Sequence, residues 1–246
     1  MPINVSDMLK KSPHTVAMSS GFFGFFAHCG FVHALIECGV TPKRITGSSA
    51  GALIGGLWAS GADMNLVAER LCELQRKDFW DPGLGFGLLK GKKFDQLLNE
   101  MLGAKQIEET VIPVALSTWN PLSRKTEVQS KGNLAKAIRA SCAVPFMFQP
   151  VWIARQPLLD GGISDRPGTA SCTDSEHVLY HHLLPRSFWR RQTTGAYMPT
   201  HMSVKTIATP NLPKLGPFRM KKAREAMELA KNHTLSVLSN PQSHSA

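Results

Sequence analysis

A helix that crosses a membrane needs roughly 20 consecutive apolar residues, and no stretch of this 246-residue chain comes near that. Residues 1–11 carry Asp7, Lys10 and Lys11 and lack the apolar segment of a secretory signal. Cysteine is scarce and odd in number, at positions 29, 38, 72, 142 and 172, with no Cys-x-x-Cys pair. That spacing argues against a zinc site or a disulfide framework, and the simpler expectation is reduced thiols in a cytoplasmic protein. Also missing are zinc-finger spacing, an RNA-binding aromatic signature and a helix-turn-helix, so nucleic acid is not the expected partner. Neither an internal repeat nor an evident linker is found, and residues 1–246 read as one domain.

Charge is present in excess of one sign. Lys and Arg number 28 against 18 Asp and Glu, a formal net charge of +10. Such a field suits anionic surfaces, acidic lipid head groups among them, although it serves equally as simple solubilising charge. Peripheral association with an anionic membrane or a lipid-droplet surface is therefore one expectation.

The first sixty residues read as strand, helix, strand, turn, helix. Thr15 to Ser20 is a short β candidate, Phe25 to Cys38 a buried helix ended by Gly39, and Lys43 to Ser48 the next strand. This order predicts a parallel βαβ start. A helix is expected over Leu66 to Lys77, capped by Asp63 or Asn65, and another over Phe94 to Leu102. Trp80 to Gly91, rich in glycine and exposed-looking apolar residues, reads either as a lid or lipid-contacting loop or as a connection whose Leu and Phe side chains enter the core. Val111 to Thr118 and Thr126 to Ser130 should pair through a polar turn, and Asn133 to Cys142 should be helical. His177 to Leu184 and Val204 to Ala208 are further strand candidates. Phe218 to Leu238 reads as a basic amphipathic helix within the tail segment 211–246.

The chain is organised around Arg44 to Ala59. A β-type run ends in Gly47-Ser48-Ser49-Ala50-Gly51 and small, apolar helical residues follow, which is the pattern of a nucleophile elbow. Ser49 is the candidate nucleophile. Gly47 and Gly51 are expected because side chains beside so tight a turn would collide. The helix N-terminus beneath the hydroxyl offers free N–H groups and a positive dipole end to a developing negative charge.

A serine hydroxyl needs a base. Histidine is the usual one, yet His177, His181 and His182 fall in or beside a strand candidate, and His201, His233 and His244 lie in polar segments. An α/β-hydrolase would also place several strands before its nucleophile, whereas one βα unit precedes Ser49. The other base is Asp160 in Leu158-Leu159-Asp160-Gly161-Gly162, a carboxylate at a strand end whose pKa burial would raise toward a useful range. Read in isolation, Asp-Gly-Gly is a hairpin turn.

Four pieces together carry a resemblance: Ser20 to Gly30, the elbow Gly47 to Gly51, Ala140 to Pro150 with its Ala-Val-Pro-Phe core, and Leu159 to Gly162. In this order they resemble the patatin-like phospholipase family from about Val16 to Gly168. The resemblance implies a three-layer α/β/α fold with a mostly parallel central sheet and a Ser-Asp dyad without histidine, cofactor or metal. It implies that Ser49 attacks an ester carbonyl, that Asp160 is the general base, and that Ser20, Gly21, Phe22 and Phe23 supply the oxyanion hole. Two departures stand out. The family commonly has three consecutive glycines where this chain has Ser19-Ser20-Gly21, and an asparagine before proline where it has Asp165-Arg166-Pro167. His28 matches a histidine frequent after the oxyanion loop and is read as structural.

The expected function is a lipid acyl hydrolase, a phospholipase or neutral-lipid lipase, acting through an acyl-serine. Two alternatives stay open: a lipid-binding or regulatory protein that has lost turnover, and a soluble-ester hydrolase with a Ser-His-Asp triad.

Overall fold

The computed structural model describes residues 4–184, 199 and 203–240; His201, His244 and part of the 171–210 stretch lie outside the described residues. Helix α1 (Val5–Lys11) starts on Asn4, whose side chain accepts the Asp7 N–H, and it is an element that the polar N-terminal sequence does not announce. Then come β1 (Thr15–Met18), α2 (Phe25–Glu37), β2 (Arg44–Ser48) and α3 (Ala50–Ala59). Strands β1 and β2 are parallel, as the βαβ reading requires.

The expected helix from Leu66 to Lys77 is two helices. α4 (Met64–Cys72) is capped by the Asp63 carboxylate, which accepts from the N–H groups of Asn65 and Leu66. The chain then breaks and restarts as one turn, α5 (Arg76–Phe79), because the Asp78 carboxylate accepts the Gln75 N–H and opens a new N-terminus. After it follow β3 (Gly87–Leu89), α6 (Lys92–Met101), β4 (Val114–Asn120), β5 (Lys125–Gln129), α7 (Leu134–Ser141), β6 (Phe146–Phe148), β7 (Val151–Ile153) and β8 (Gln156–Asp160). The described chain closes with β9 (His177–His181), β10 (Ser203–Ile207) and α8 (Ala223–Ser239).

The molecule is a mixed α/β protein with a central sheet. Its strand order is β10-β9-β1-β2-β4-β8-β7, with β5 also paired to β4. From β10 to β4 the neighbours are parallel; β5, β8 and β7 join antiparallel. Alternation along β1 sends Val16 and Met18 to one face, into a large core with Ile45 and residues of α2, α3, α7 and α8. Ala17 points to the other face, beside Val178 and Tyr180. There the described cover includes the segment 165–176: Gly168 and Ser171 bond Thr46, and Glu176 bonds Thr15 and Arg44.

Small residues set the layer spacing. A Cβ on Gly51 would run into the Met18 carbonyl, and one on Gly30 into the Met227 carbonyl. The second contact lets α8 lie directly on α2, burying Ala223, Ala226, Met227, Ala230 and Leu238, while Lys231 reaches Glu37 at 2.7 Å. The C-terminal helix therefore spends its apolar face on the protein, and starts at Ala223 rather than Phe218. No helix among the described residues is long and apolar enough to cross a membrane.

Candidate active site

Ser49 stands where β2 stops and α3 begins, with φ of 52° and ψ of −114°. A non-glycine residue at positive φ costs of order 1–3 kcal/mol and persists only where its surroundings over-determine it. They do so here. Leu53 N–H and the Cys142 thiol donate to the Ser49 carbonyl, at 2.9 and 3.2 Å. The Ser49 N–H donates to Ser141 Oγ at 2.9 Å, and Ser141 Oγ donates to the Ser117 carbonyl at 2.6 Å, tying the turn to α7 and β4. Gly47 and Gly51 are required by approach: a Cβ on Gly47 would lie 2.7 Å from the Gly51 carbonyl. Ser48 and Ala50 flank the nucleophile, both buried, and the Ser48 hydroxyl has no hydrogen-bond partner among the described residues.

Asp160 ends β8, where its pairing with Thr118 of β4 brings it to the same edge of the sheet. Its Oδ2 accepts from Ser49 Oγ at 2.6 Å and its Oδ1 from the Gly162 N–H at 2.7 Å. The residue is 6% exposed. Burial pushes its carboxyl up to about 6, while the bonds from Ser49 and Gly162 pull in the opposite direction without prevailing. Asp-Gly-Gly is not a hairpin turn: Gly161–Ile163 form a 3-10 turn beginning at Asp160. Both glycines are needed for space, since a Cβ on Gly161 would collide with the Ser117 carbonyl and one on Gly162 would sit 2.5 Å from Ser20 Oγ.

The loop after β1 divides in two. Ser19 is fixed through its N–H to the His181 carbonyl, its Oγ to the Leu183 N–H and its carbonyl to His28 Nε2. The Ser20 N–H donates to the Arg166 carbonyl at 2.8 Å, so in this arrangement Ser20 is not a free donor, contrary to the expectation for that residue. The N–H groups of Gly21, Phe22 and Phe23 donate to no described residue.

None of the described histidines is a hydrogen-bond partner of Ser49 or Asp160. His28 Nε2 donates to the Ser19 carbonyl at 2.7 Å, so its Nδ1 accepts, and His181 Nδ1 donates to it at 2.7 Å. Burial holds both neutral, His28 down to about 4 and His181 well below the ordinary histidine range. His182 meets Tyr180 at 3.0 Å, and His177 is exposed.

Asp165, which stands out in the sequence only as part of a departure before proline, has a structural task. Its buried carboxylate accepts from Ser117 Oγ at 2.5 Å and from the N–H groups of Gly168, Thr169 and Ala170. It thereby folds the 165–170 loop so that Gly168 lies against Gly47 and Ser48. Ser141, the partner of the Ser49 N–H, was hidden; its place in the Ala-Ser-Cys-Ala-Val-Pro piece was the available signal.

Ser49 opens on an almost wholly apolar cavity of about 120 Å³, whose wall includes Phe23, Leu53, Trp80, Leu89, Leu97 and Phe148. A strained serine bonded to a buried carboxylate thus opens on an apolar cavity that Gly21, Phe22 and Phe23 also line. The patatin-like phospholipase family model matches residues 16–172, more than half of the chain, and the chain belongs to that family. An uncharacterized NTE family protein of Mycobacterium tuberculosis is 33% identical over 153 residues, 61% of this chain and 42% of that protein. The lysophospholipase nte1 of Emericella nidulans is 30% identical over 148 residues, 56% of this chain and 10% of that protein. The chain thus spans less than half the length of these curated relatives. Among solved structures, VipD from Legionella pneumophila superposes with a TM-score of 0.65 at 13% identity, over 97% of this chain and 70% of that one, a likeness of fold.

Proposed function

We propose that the chain is a lipid acyl hydrolase that cleaves a carboxylic ester of a phospholipid, lysophospholipid or neutral lipid through a Ser49–Asp160 dyad. The observation that carries this reading is the 2.6 Å bond between Ser49 Oγ and the buried Asp160 carboxylate, at the wall of an apolar cavity. In the first step the Ser49 hydroxyl proton passes to Asp160 Oδ2 as Oγ bonds to the ester carbonyl carbon. The resulting oxyanion accepts from the N–H groups of Gly21, Phe22 and Phe23, a role supported by their lack of another partner among the described residues. Collapse breaks the bond to the leaving alcohol, which takes the proton from Asp160. A water then gives its proton to Asp160 and attacks the acyl carbon, and the proton returns to Ser49 Oγ as the fatty acid leaves. A carboxylate with a pKa near 6 suits both halves of this exchange, ionised at neutral pH yet basic enough to hold a proton transiently.

Turnover of lysophospholipid, phospholipid, triacylglycerol and short-chain ester by the parent protein, with S49A as blank, tests the reading. Full retention of activity in S49A or in D160N would end the dyad model. One observation favours a second reading, a lipid-binding protein without turnover: the tied Ser20 N–H beside the Ser19-Ser20 replacement of glycine. Failure of a fluorophosphonate to label Ser49, together with retained vesicle binding, would decide for it.

A further inference from the structure

Residues 81–90 fold back on themselves, with the Gly83 N–H on the Leu88 carbonyl and the Lys90 N–H on the Asp81 carbonyl, each at 3.0 Å. Strand β3 within this fold pairs with β6, Gly87 opposite Phe146 and Leu89 opposite Phe148. The ribbon has two ends of different character. At one, Leu89 and Phe148 form part of the wall of the Ser49 cavity. At the other, Leu84, Phe86 and Phe146 stand 100%, 92% and 90% exposed. Single exposed apolar side chains are ordinary, but three large ones gathered on one ribbon at a cavity rim form a patch that calls for a partner.

We propose that this ribbon end is a membrane-docking surface that enters an anionic lipid leaflet and brings the cavity mouth to the lipid; the part played by the cavity rests on the hydrolase reading. The charges around the ribbon fit an anionic leaflet. Lys90, Lys92 and Lys93 follow the ribbon and are exposed. The nearest acid in sequence, Asp81, is turned onto the backbone N–H groups of Gly91, Lys92 and Lys93. Arg76 stacks its guanidinium 4.5 Å from the Trp80 ring and 5.2 Å from that of Phe218, with no carboxylate partner among the described residues. Trp80 and Pro217, the neighbour of the exposed Phe218, both line the cavity. An apolar tip inside a basic collar is the composition of an interfacial anchor. A leaflet also accepts side chains that project separately, whereas a protein partner would need a matching surface.

The test uses the full chain carrying S49A, so that no lipid is consumed, and co-sedimentation with vesicles of phosphatidylcholine with or without phosphatidylserine. L84D/F86D is expected to lower partitioning at least about tenfold on both vesicle types. F146N, on the other strand and with a residue that tolerates positive φ, is expected to lower it in the same direction. R76Q is expected to weaken binding about fivefold on phosphatidylserine vesicles alone. An unchanged thermal midpoint would show that these exposed positions leave the fold intact. Parent-like partitioning of both L84D/F86D and F146N would overturn the proposal, as would a concentration-dependent dimer of the parent that L84D/F86D abolishes. Vesicle binding by the S49A chain together with no esterase activity in the parent protein would remove the hydrolase reading and leave the docking surface standing. Esterase activity on a water-soluble ester without vesicle binding would do the reverse.

Discussion

Two turns leave the sheet side by side, one after β1 and one after β2, with Met18 paired to Gly47 at their base. The turn at Ser49 is held on every side: by Ser141 at its N–H, by Leu53 and Cys142 at its carbonyl, and by Gly168 behind Gly47. The turn at Ser19 to Gly24 is bonded at its start to His181, His28, Leu183 and Arg166 and closed by the Gly24 N–H on the Gly21 carbonyl, while the N–H groups of Gly21, Phe22 and Phe23 donate to no described residue. On the proposed dyad, the Ser49 hydroxyl is already bonded to its base, while the Gly21 to Phe23 N–H groups still lack a partner among the described residues. The two neighbouring turns thus differ in how fully their backbone polar groups are engaged.

Four substitutions would sharpen or break that contrast. Replacing Ser49 by Ala is expected to have the largest effect, a fall in ester turnover of about 10³-fold or more and no fluorophosphonate labelling, read by initial rates and mass spectrometry. D160N should follow, with a fall of about 10²-fold or more in kcat/KM. It should also gain stability. The folded carboxyl is raised from 3.8 to about 6, so the ionised form costs roughly 3 kcal/mol above pH 6, a cost that fades as pH falls toward 4. D160N should therefore unfold at higher denaturant than the parent at pH 8 and lose that advantage by pH 4. S141A, which removes the anchor of the Ser49 N–H, is expected to cost about 1–2 kcal/mol in denaturant unfolding and to lower kcat with little change in KM. S20G is the smallest: with its N–H already given to Arg166, the change should shift kcat no more than about threefold to fivefold. A tenfold rise in S20G would show instead that Ser20 limits the oxyanion loop.

The parts of this molecule written locally were legible in its residues. The βαβ start, the elbow, the pairing of β4 with β5 and the cap at Asp63 all follow from short-range turn and capping chemistry. Parts that depend on distant segments were not. Nothing near Asp165 signals that its carboxylate would bond Ser117 and fold the chain back against Gly47, and nothing near Ser20 signals that Arg166 would take its N–H. The C-terminal helix shows the same limit from the other direction. Its amphipathic pattern was correct, but periodicity does not say whether an apolar face meets a membrane or another helix, and Gly30 on α2 made room for the second. Trp80 to Gly91 divides: Leu89 is buried, as a core connection requires, while Leu84 and Phe86 stay in solvent.

The central claim is that Asp160, buried against Ser49, is the base. The most direct measurement is the pH dependence of kcat/KM on a water-soluble ester for the parent protein and for D160N. The account predicts an acidic limb in the parent with a midpoint near pH 6, rising as Asp160 ionises, and a D160N profile at least about 10²-fold lower that lacks this limb. A parent limb near pH 4, or a D160N enzyme that keeps both the rate and the limb, would contradict it.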